Sequence, residues 1–299
     1  MVIDVHRVVW ITSTTPPAPS GGRMVGGMTA DPSSTGTESA PVLLSDAGDG
    51  VTVLTLNLPD RRNAMTEAMT VAWTEALAAI RADPAVRCVV VTGAGRAFCA
   101  GGDLSWIGEV PDMTVPQIRD RMLRFYRSWL AISELEVPTI AAVNGAAVGA
   151  GLALALACDL RFATPEAKLA APFTALGMHP GMASTWLLPQ VAGMTVARDL
   201  LLTGRTVAGT EALGLGLVNG LCAAEDLERE VLATARTIAR HAPVATRLTK
   251  AALRGTGHAS IADALQWESL AQATTMAGED LQEGLAAQRE RRAPRFTGS

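Results

Sequence analysis

The amino-acid sequence predicts an α/β fold, and three observations carry that prediction. Short apolar runs rich in β-branched residues, Val86–Thr92 and Thr139–Val143, each feed a loop that bears glycines. Stretches with helical apolar spacing, residues 66–82 and 114–134, alternate with these runs, the order expected of layered α/β packing. After Val218–Cys222 no strand candidate remains, so the last third reads as helix alone.

Residues 1–40 form an N-terminal extension expected to stay without fold, because Ser, Thr, Pro and Gly dominate it from Thr12 to Thr37. Its apolar part, Val8–Ile11, lacks the length and basic lead of a signal peptide, and Met24 and Met28 are alternative starts. Val42–Leu44 and Val51–Asn57 predict a hairpin over Ala47-Gly48-Asp49-Gly50. Thr66 is placed to cap a helix that Asp83-Pro84 ends. Residues 105–113 read as irregular. Thr114 then caps a helix in which Ile118, Met122, Phe125, Trp129 and Ile132 recur at helical spacing. Past Pro138 come a strand, a turn at Asn144-Gly145, a small-residue helix over Gly149–Cys158, and strands at Asp159–Ala163 and Lys168–Ala171. Gly177–Gly193 reads as a loop and a helix. Helices follow at about 195–202, 210–214, 225–241, 244–254, 260–277 and 279–291, before the tail Pro294-Arg295-Phe296.

Composition narrows the function. The chain has 299 residues, 48% apolar but only 4% aromatic, which suits a sizeable core of Ala, Val, Leu and Met. A net charge of −4 without a basic run argues against nucleic-acid binding, and no apolar stretch is long enough to span a membrane. The four cysteines are scattered in apolar contexts without a C-x-x-C pair, as expected of reduced core thiols in a cytoplasmic protein rather than of a metal site.

Two glycine loops hold the chemical interest. Val89–Asp103 reads VVVTGAGRAFCAGGD, and Thr139–Gly151 is a second strand-to-glycine stretch. Neither completes a dinucleotide fingerprint, and neither a phosphate loop nor a G-x-S-x-G elbow occurs. Tight turns and close packing would explain either loop alone. Together, a helix start at Gly149 and a backbone N–H near Gly102 could converge on one carbonyl oxygen and stabilise an enolate.

Four segments, LNLPDRRNAM (56–65), VVVTGAGRAFCAGGDL (89–104), PTIAAVNGAAVGAGLALALACDLRFA (138–163) and LGMHPG (176–181), resemble the crotonase, or enoyl-CoA hydratase/isomerase, superfamily in composition and order. The resemblance covers about residues 42–255. It implies a spiral of repeated ββα units in an acyl-CoA-binding core (41–240) and a helical trimerisation region (241–299). It also implies an acyl-CoA thioester ligand, no separate cofactor, and a homotrimer or dimer of trimers. By position, Gly102 and Ala150 would supply the two oxyanion-hole N–H groups. Ala64, Ala97, Gly101 and Leu104 would wrap the CoA mainly through backbone. Asp103 matches an acid of the family pattern, with a structural role as the alternative to ligand contact. Lys250 and Phe296 are further CoA-contact candidates.

The departures matter equally. The two glutamates with which family hydratases activate water fall on Ala153 and on Phe173, neither of which moves a proton. His179, in the loop that the resemblance sets beside the acyl pocket, is a candidate base, or else it only bonds a loop carbonyl. Glu109 and Asp112 are either flap acids or solvated surface. Phe173, Met178, Met182 and Trp186 suit an apolar acyl pocket and equally an ordinary core. An acyl-CoA hydratase or isomerase is therefore the leading expectation. A non-catalytic acyl-CoA binder of the same fold is the alternative, and the net charge leaves RNA binding little support.

Overall fold

The structure, a computed structural model, describes residues 40–109, 112–254 and 260–299. The extension expected to lack fold lies outside these residues, Ala40 excepted. Strands β1 (Val42–Asp46) and β2 (Val51–Leu56) pair antiparallel over a turn in which Gly48, Asp49 and Gly50 all take positive φ. Helix α1 (Glu67–Ala82) starts where expected, with the Thr66 side chain accepting from the Met69 N–H at 3.1 Å. Strand β3 (Cys88–Gly93) then pairs parallel with β2.

From β3 onward one unit recurs three times: a strand in a large sheet, a three-residue strand in a small sheet, then helix. The first is β3, β4 (Ala97–Cys99), α2 (Leu104–Gly108) and α3 (Val115–Leu130). The second is β5 (Thr139–Val143), β6 (Ala146–Val148) and α4 (Ala150–Ala157). The third is β7 (Leu160–Ala163), β8 (Lys168–Ala170) and α5 (Ser184–Thr203). Strand β9 (Thr206–Ala208), α6 (Gly209–Gly214) and β10 (Gly220–Leu221) follow. Helices α7 (Leu227–Ala239), α8 (Pro243–Leu253), α9 (Ile261–Met276) and α10 (Glu279–Glu290) end the chain. The large sheet runs β1-β2-β3-β5-β7-β10 and the small one β4-β6-β8-β9. This is the expected α/β spiral of ββα units.

Alternation along β3 explains the layering. Val89 and Val91 face the core shared with α1, α3, α4 and α5, while Cys88 and Val90 face Leu227, Val231, Ala235 and Ala239 of α7. Both faces of the strand are covered, hence its unbroken apolar run. Helix α4 is buried on every side, all eight residues of it, as its sequence AGLALALA allows. Trp73 of α1 stacks on Trp129 of α3 at 4.9 Å, and each indole N–H finds an acceptor on the opposite helix.

The structure corrects the sequence reading in three places. Leu104–Gly108, read as irregular, is a short helix because Asp103 caps it, its carboxylate accepting from the Ser105 N–H. The break expected between the helix ending at Gly193 and the one at 195–202 is present as a kink inside α5, where Gly193 leaves helical geometry (φ 78°, ψ 163°). Strand β6 stands between the Asn144-Gly145 turn and α4. Strands β4 and β9 were not expected; at three residues they carry too little alternation to read.

Candidate active site

The Gly93–Phe98 loop is held by two asparagines. Asn63, buried and at φ 56°, donates its amide to Ala94, Ala97 and Phe98 carbonyls at 2.8–3.2 Å and accepts from the Leu58 N–H at 2.9 Å. Asn144 donates to the carbonyls of Gly93 and Gly95 and accepts from the Gly93 N–H. The two side chains thus tie the loop to the segments that precede α1 and β6. In the sequence Asn63 stands only as one letter of the segment 56–65, and Asn144 only as a turn residue. The available signal was asparagine beside apolar strand ends, where a buried amide must be satisfied.

Beyond β4 the chain turns at Gly101, whose φ of +92° is unfavourable for any residue with a Cβ. A methyl group there would lie 2.5 Å from the Val148 carbonyl oxygen and 3.2 Å from the Ala150 nitrogen. The two glycine loops therefore meet backbone to backbone at the start of α4. Gly101 also accepts from the Met65 N–H at 2.8 Å, within a parallel bridge between Met65 and Gly102. In that bridge pattern the N–H of Gly102 points away from Met65. On the other loop, Gly149 (φ 56°) donates to Ala170. The first bond within α4 runs from Ala153 to Gly149 at 3.1 Å, so the N–H groups of Ala150, Gly151 and Leu152 have no helical acceptor. A Cβ on Gly151 would collide with the Cys99 carbonyl.

Around this point the walls are apolar. Ile107 of α2 covers Gly102, its Cδ1 lying 3.1 Å from where a Cβ would sit. The Phe173 ring lies 3.7–3.8 Å from the corresponding position on Gly149. Ala153 is fully buried. Phe125 and Trp106 pack at 5.0 Å, and Arg121 stacks on the Trp106 ring at 4.1 Å. A cavity of about 340 Å³ opens between Met65, Trp106, Arg121, Arg124 and Phe125.

The other candidates sit as follows. Both Asp103 oxygens are engaged: Oδ1 accepts from the Ser105 N–H and hydroxyl, and Oδ2 pairs with Arg61 at 2.7 Å. The Ser105 hydroxyl, followed by the Ser105 N–H and Arg61, holds this carboxyl below its ordinary range. Leu104 is exposed. The carbonyl of Ala64 accepts from Thr66 and that of Ala97 from Asn63. His179 is exposed and its Nδ1 sits 2.8 Å from the Pro180 carbonyl. Thr174 donates to Leu201, and Glu109 faces Arg121 at 3.9 Å. Lys250 departs from an open CoA contact. It is buried, its Nζ is 2.7 Å from Asp159 and 2.8 Å from the Val137 carbonyl, and burial lowers its pKa. Phe296 packs against Gly284 of α10, and its carbonyl accepts from Arg87 at 2.7 Å.

Burial pushes the thiols of Cys88, Cys99 and Cys158 up to about 12, so they are inert core residues near neutral pH. Among the described residues no group of three or more His, Cys, Asp or Glu could hold a metal ion, and no helix is long and apolar enough to cross a membrane.

With this geometry in view, the comparisons are specific. The sequence profile of the enoyl-CoA hydratase/isomerase family matches residues 46–299. A Mycobacterium tuberculosis protein named "Probable enoyl-CoA hydratase" is 44% identical over 229 residues, 76% of this chain and 87% of that one. Mouse enoyl-CoA hydratase domain-containing protein 2, mitochondrial, is 37% identical over 260 residues, 85% of this chain and 87% of that one. The crystal structure of an enoyl-CoA hydratase from Bacillus anthracis superposes with a TM-score of 0.81 at 33% identity, covering 87% of this chain and all of the other.

Proposed function

The chain belongs to the enoyl-CoA hydratase/isomerase family of the crotonase superfamily, and from that premise we propose that it stabilises an acyl-CoA thioester enolate with the backbone N–H groups of Gly102 and Ala150. The observation that carries this reading is the meeting of the two loops, with Gly101 packed against Val148 and Ala150 where α4 begins. A thioester oxygen seated there gains two fixed donors and the positive end of a helix. Losing one such donor costs roughly 3–4 kcal/mol in a transition state. CoA is part of the substrate, so no separate cofactor is needed. Enoyl-CoA hydration or double-bond isomerisation is the reaction this supports.

A second reading has its own observation. The two residues that the family resemblance sets at the paired-glutamate positions, Ala153 and Phe173, are buried and apolar. A protein that binds acyl-CoA without turning it over would have this wall. The protein is proposed to work in the cytoplasm, in keeping with its free thiols. It is also proposed to assemble as a homotrimer or dimer of trimers through its C-terminal helices.

Turnover of a panel of enoyl-CoA thioesters, beside calorimetric binding of saturated acyl-CoA, separates the two readings. Turnover that Gly102→Pro lowers by at least about 100-fold, with the far-ultraviolet circular dichroism retained, supports the enzyme. Tight binding without turnover supports the binder. No binding of any CoA ester would sink both.

A further inference from the structure

Resting on the enzymatic reading, we propose that Tyr126 is the proton-transferring residue of this site, standing in for the carboxylates absent at positions 153 and 173. Tyr126 is the chain's sole tyrosine. It projects from α3, half-buried, with its ring edge-on to Phe125 at 6.1 Å. A methyl group on Gly181 would lie 2.5 Å from its hydroxyl oxygen and 3.0 Å from its Cζ, so the phenol's tip rests against the backbone of the 173–183 segment. The hydroxyl finds no hydrogen-bond partner among the described residues.

Three connections link this hydroxyl to the elements that build the site. Phe125, its neighbour, packs on Trp106 of α2, the helix whose Ile107 covers Gly102. The segment it touches begins at Phe173, whose ring covers Gly149, and folds back through the Met178 N–H bond to Phe173. Tyr126 also packs against the core cluster that holds Ala150, Ala153, Phe173 and Met182. The segment itself is built tightly at this point. Met182 and Ala183 both take positive φ, 54° and 52°, although neither is glycine, and the Ser184 hydroxyl and N–H both donate to Gly181. Such local cost persists where surrounding structure fixes a functional shape.

The competing groups are fewer than the sequence suggests. His179 on the same segment is exposed and held by the Pro180 carbonyl. Arg121 of α3 is taken up by the Trp106 ring, 4.1 Å from its centroid. Burial raises the Tyr126 phenol, so it carries its proton near neutrality.

The step balances with one residue. Water adds to the β carbon of an enoyl thioester, and the π electrons move to the oxygen held by Gly102 and Ala150. As the enolate collapses, its electron pair forms a C–H bond at the α carbon while the Tyr126 O–H breaks. The phenolate then takes the proton released by the added water.

Tyr126→Phe keeps the ring and its packing, so a structural role predicts unchanged kinetics. A proton-transfer role predicts that kcat for an enoyl-CoA falls by about 100-fold with KM nearly unchanged. Because the chain has one tyrosine, tyrosinate absorbance near 295 nm titrates this residue alone, and butanoyl-CoA is expected to shift that titration. Wild-type activity in Tyr126→Phe overturns the inference while leaving the enolate reading standing, and so does a titration indifferent to butanoyl-CoA. Absence of enoyl-CoA turnover in the unaltered protein overturns both.

Discussion

At the scale of single residues, Asp103 shows how a family motif and a local job can coincide. Its carboxylate caps α2 and pairs with Arg61, which ties the first glycine loop to the segment before α1. Its folded pKa lies below its ordinary value of 3.8, so it contributes stability above about pH 4 and loses that contribution as pH falls through the folded pKa. Asp103→Asn can still cap the helix but cannot pair with Arg61. The thermal midpoints of the two proteins should therefore differ at pH 7, and the gap should narrow as pH falls below about 3.8. A gap that keeps its size as the pH is lowered would remove the charge from the explanation. Lys250 teaches the opposite lesson. The family resemblance made it a CoA-contact candidate, but only the fold reveals that α8 delivers its ammonium to Asp159 and the Val137 carbonyl. Nothing local in the sequence separates a solvated lysine from a buried one.

At the scale of elements, the site is a property of loops pinned by side chains rather than of the loops' own residues. Asn63 satisfies three carbonyls and one N–H, and its positive φ suits asparagine better than most residues. Asn63→Ala leaves buried groups of Leu58, Ala97 and Phe98 without that partner, at a cost of about 3 kcal/mol. Urea unfolding measures it, and a loss under about 1 kcal/mol would mean that water or a relaxed loop takes the amide's place. Much of the element order was legible beforehand. β3 and β5 are β-branched runs, and the helix from Thr114 carries Phe125 and Trp129 into the core at the expected spacing, giving way after Leu130 to a 3-10 turn that holds the buried Ile132. Of the small sheet only β8 was legible; β4, β6 and β9 are three residues each and take their identity from pairing. The glycine loops could be read because a backbone that must approach another backbone excludes side chains. The asparagine clamps and Tyr126 could not, since their partners lie 30 or more positions away in the chain.

At the scale of the whole molecule, α9 leaves its apolar residues uncovered by the rest of the chain. Apolar residues occur all round it, Ile261, Leu265, Trp267, Leu270 and Met276 among them, yet it buries none of its residues. Ile261 is 81% exposed, Leu270 67% and Leu265 60%. A helix apolar on every side is stable in water only when something covers it. The neighbouring α10 is by contrast fastened within the chain: Asp280 accepts from the Thr297 and Gly298 N–H groups, and Glu283 pairs with Arg292. The C-terminal tail is thus used up internally, while α9 remains open for other copies, as the proposed trimer requires. Replacing Leu265 and Leu270 together by glutamate puts two charges into that face and leaves the core of the chain untouched, because neither side chain is buried within it. Light scattering should then report a mass near that of one chain, against three or six for the unaltered protein, with circular dichroism retained. An unchanged mass would remove α9 from the interface, and a monomeric unaltered protein would remove the assembly itself.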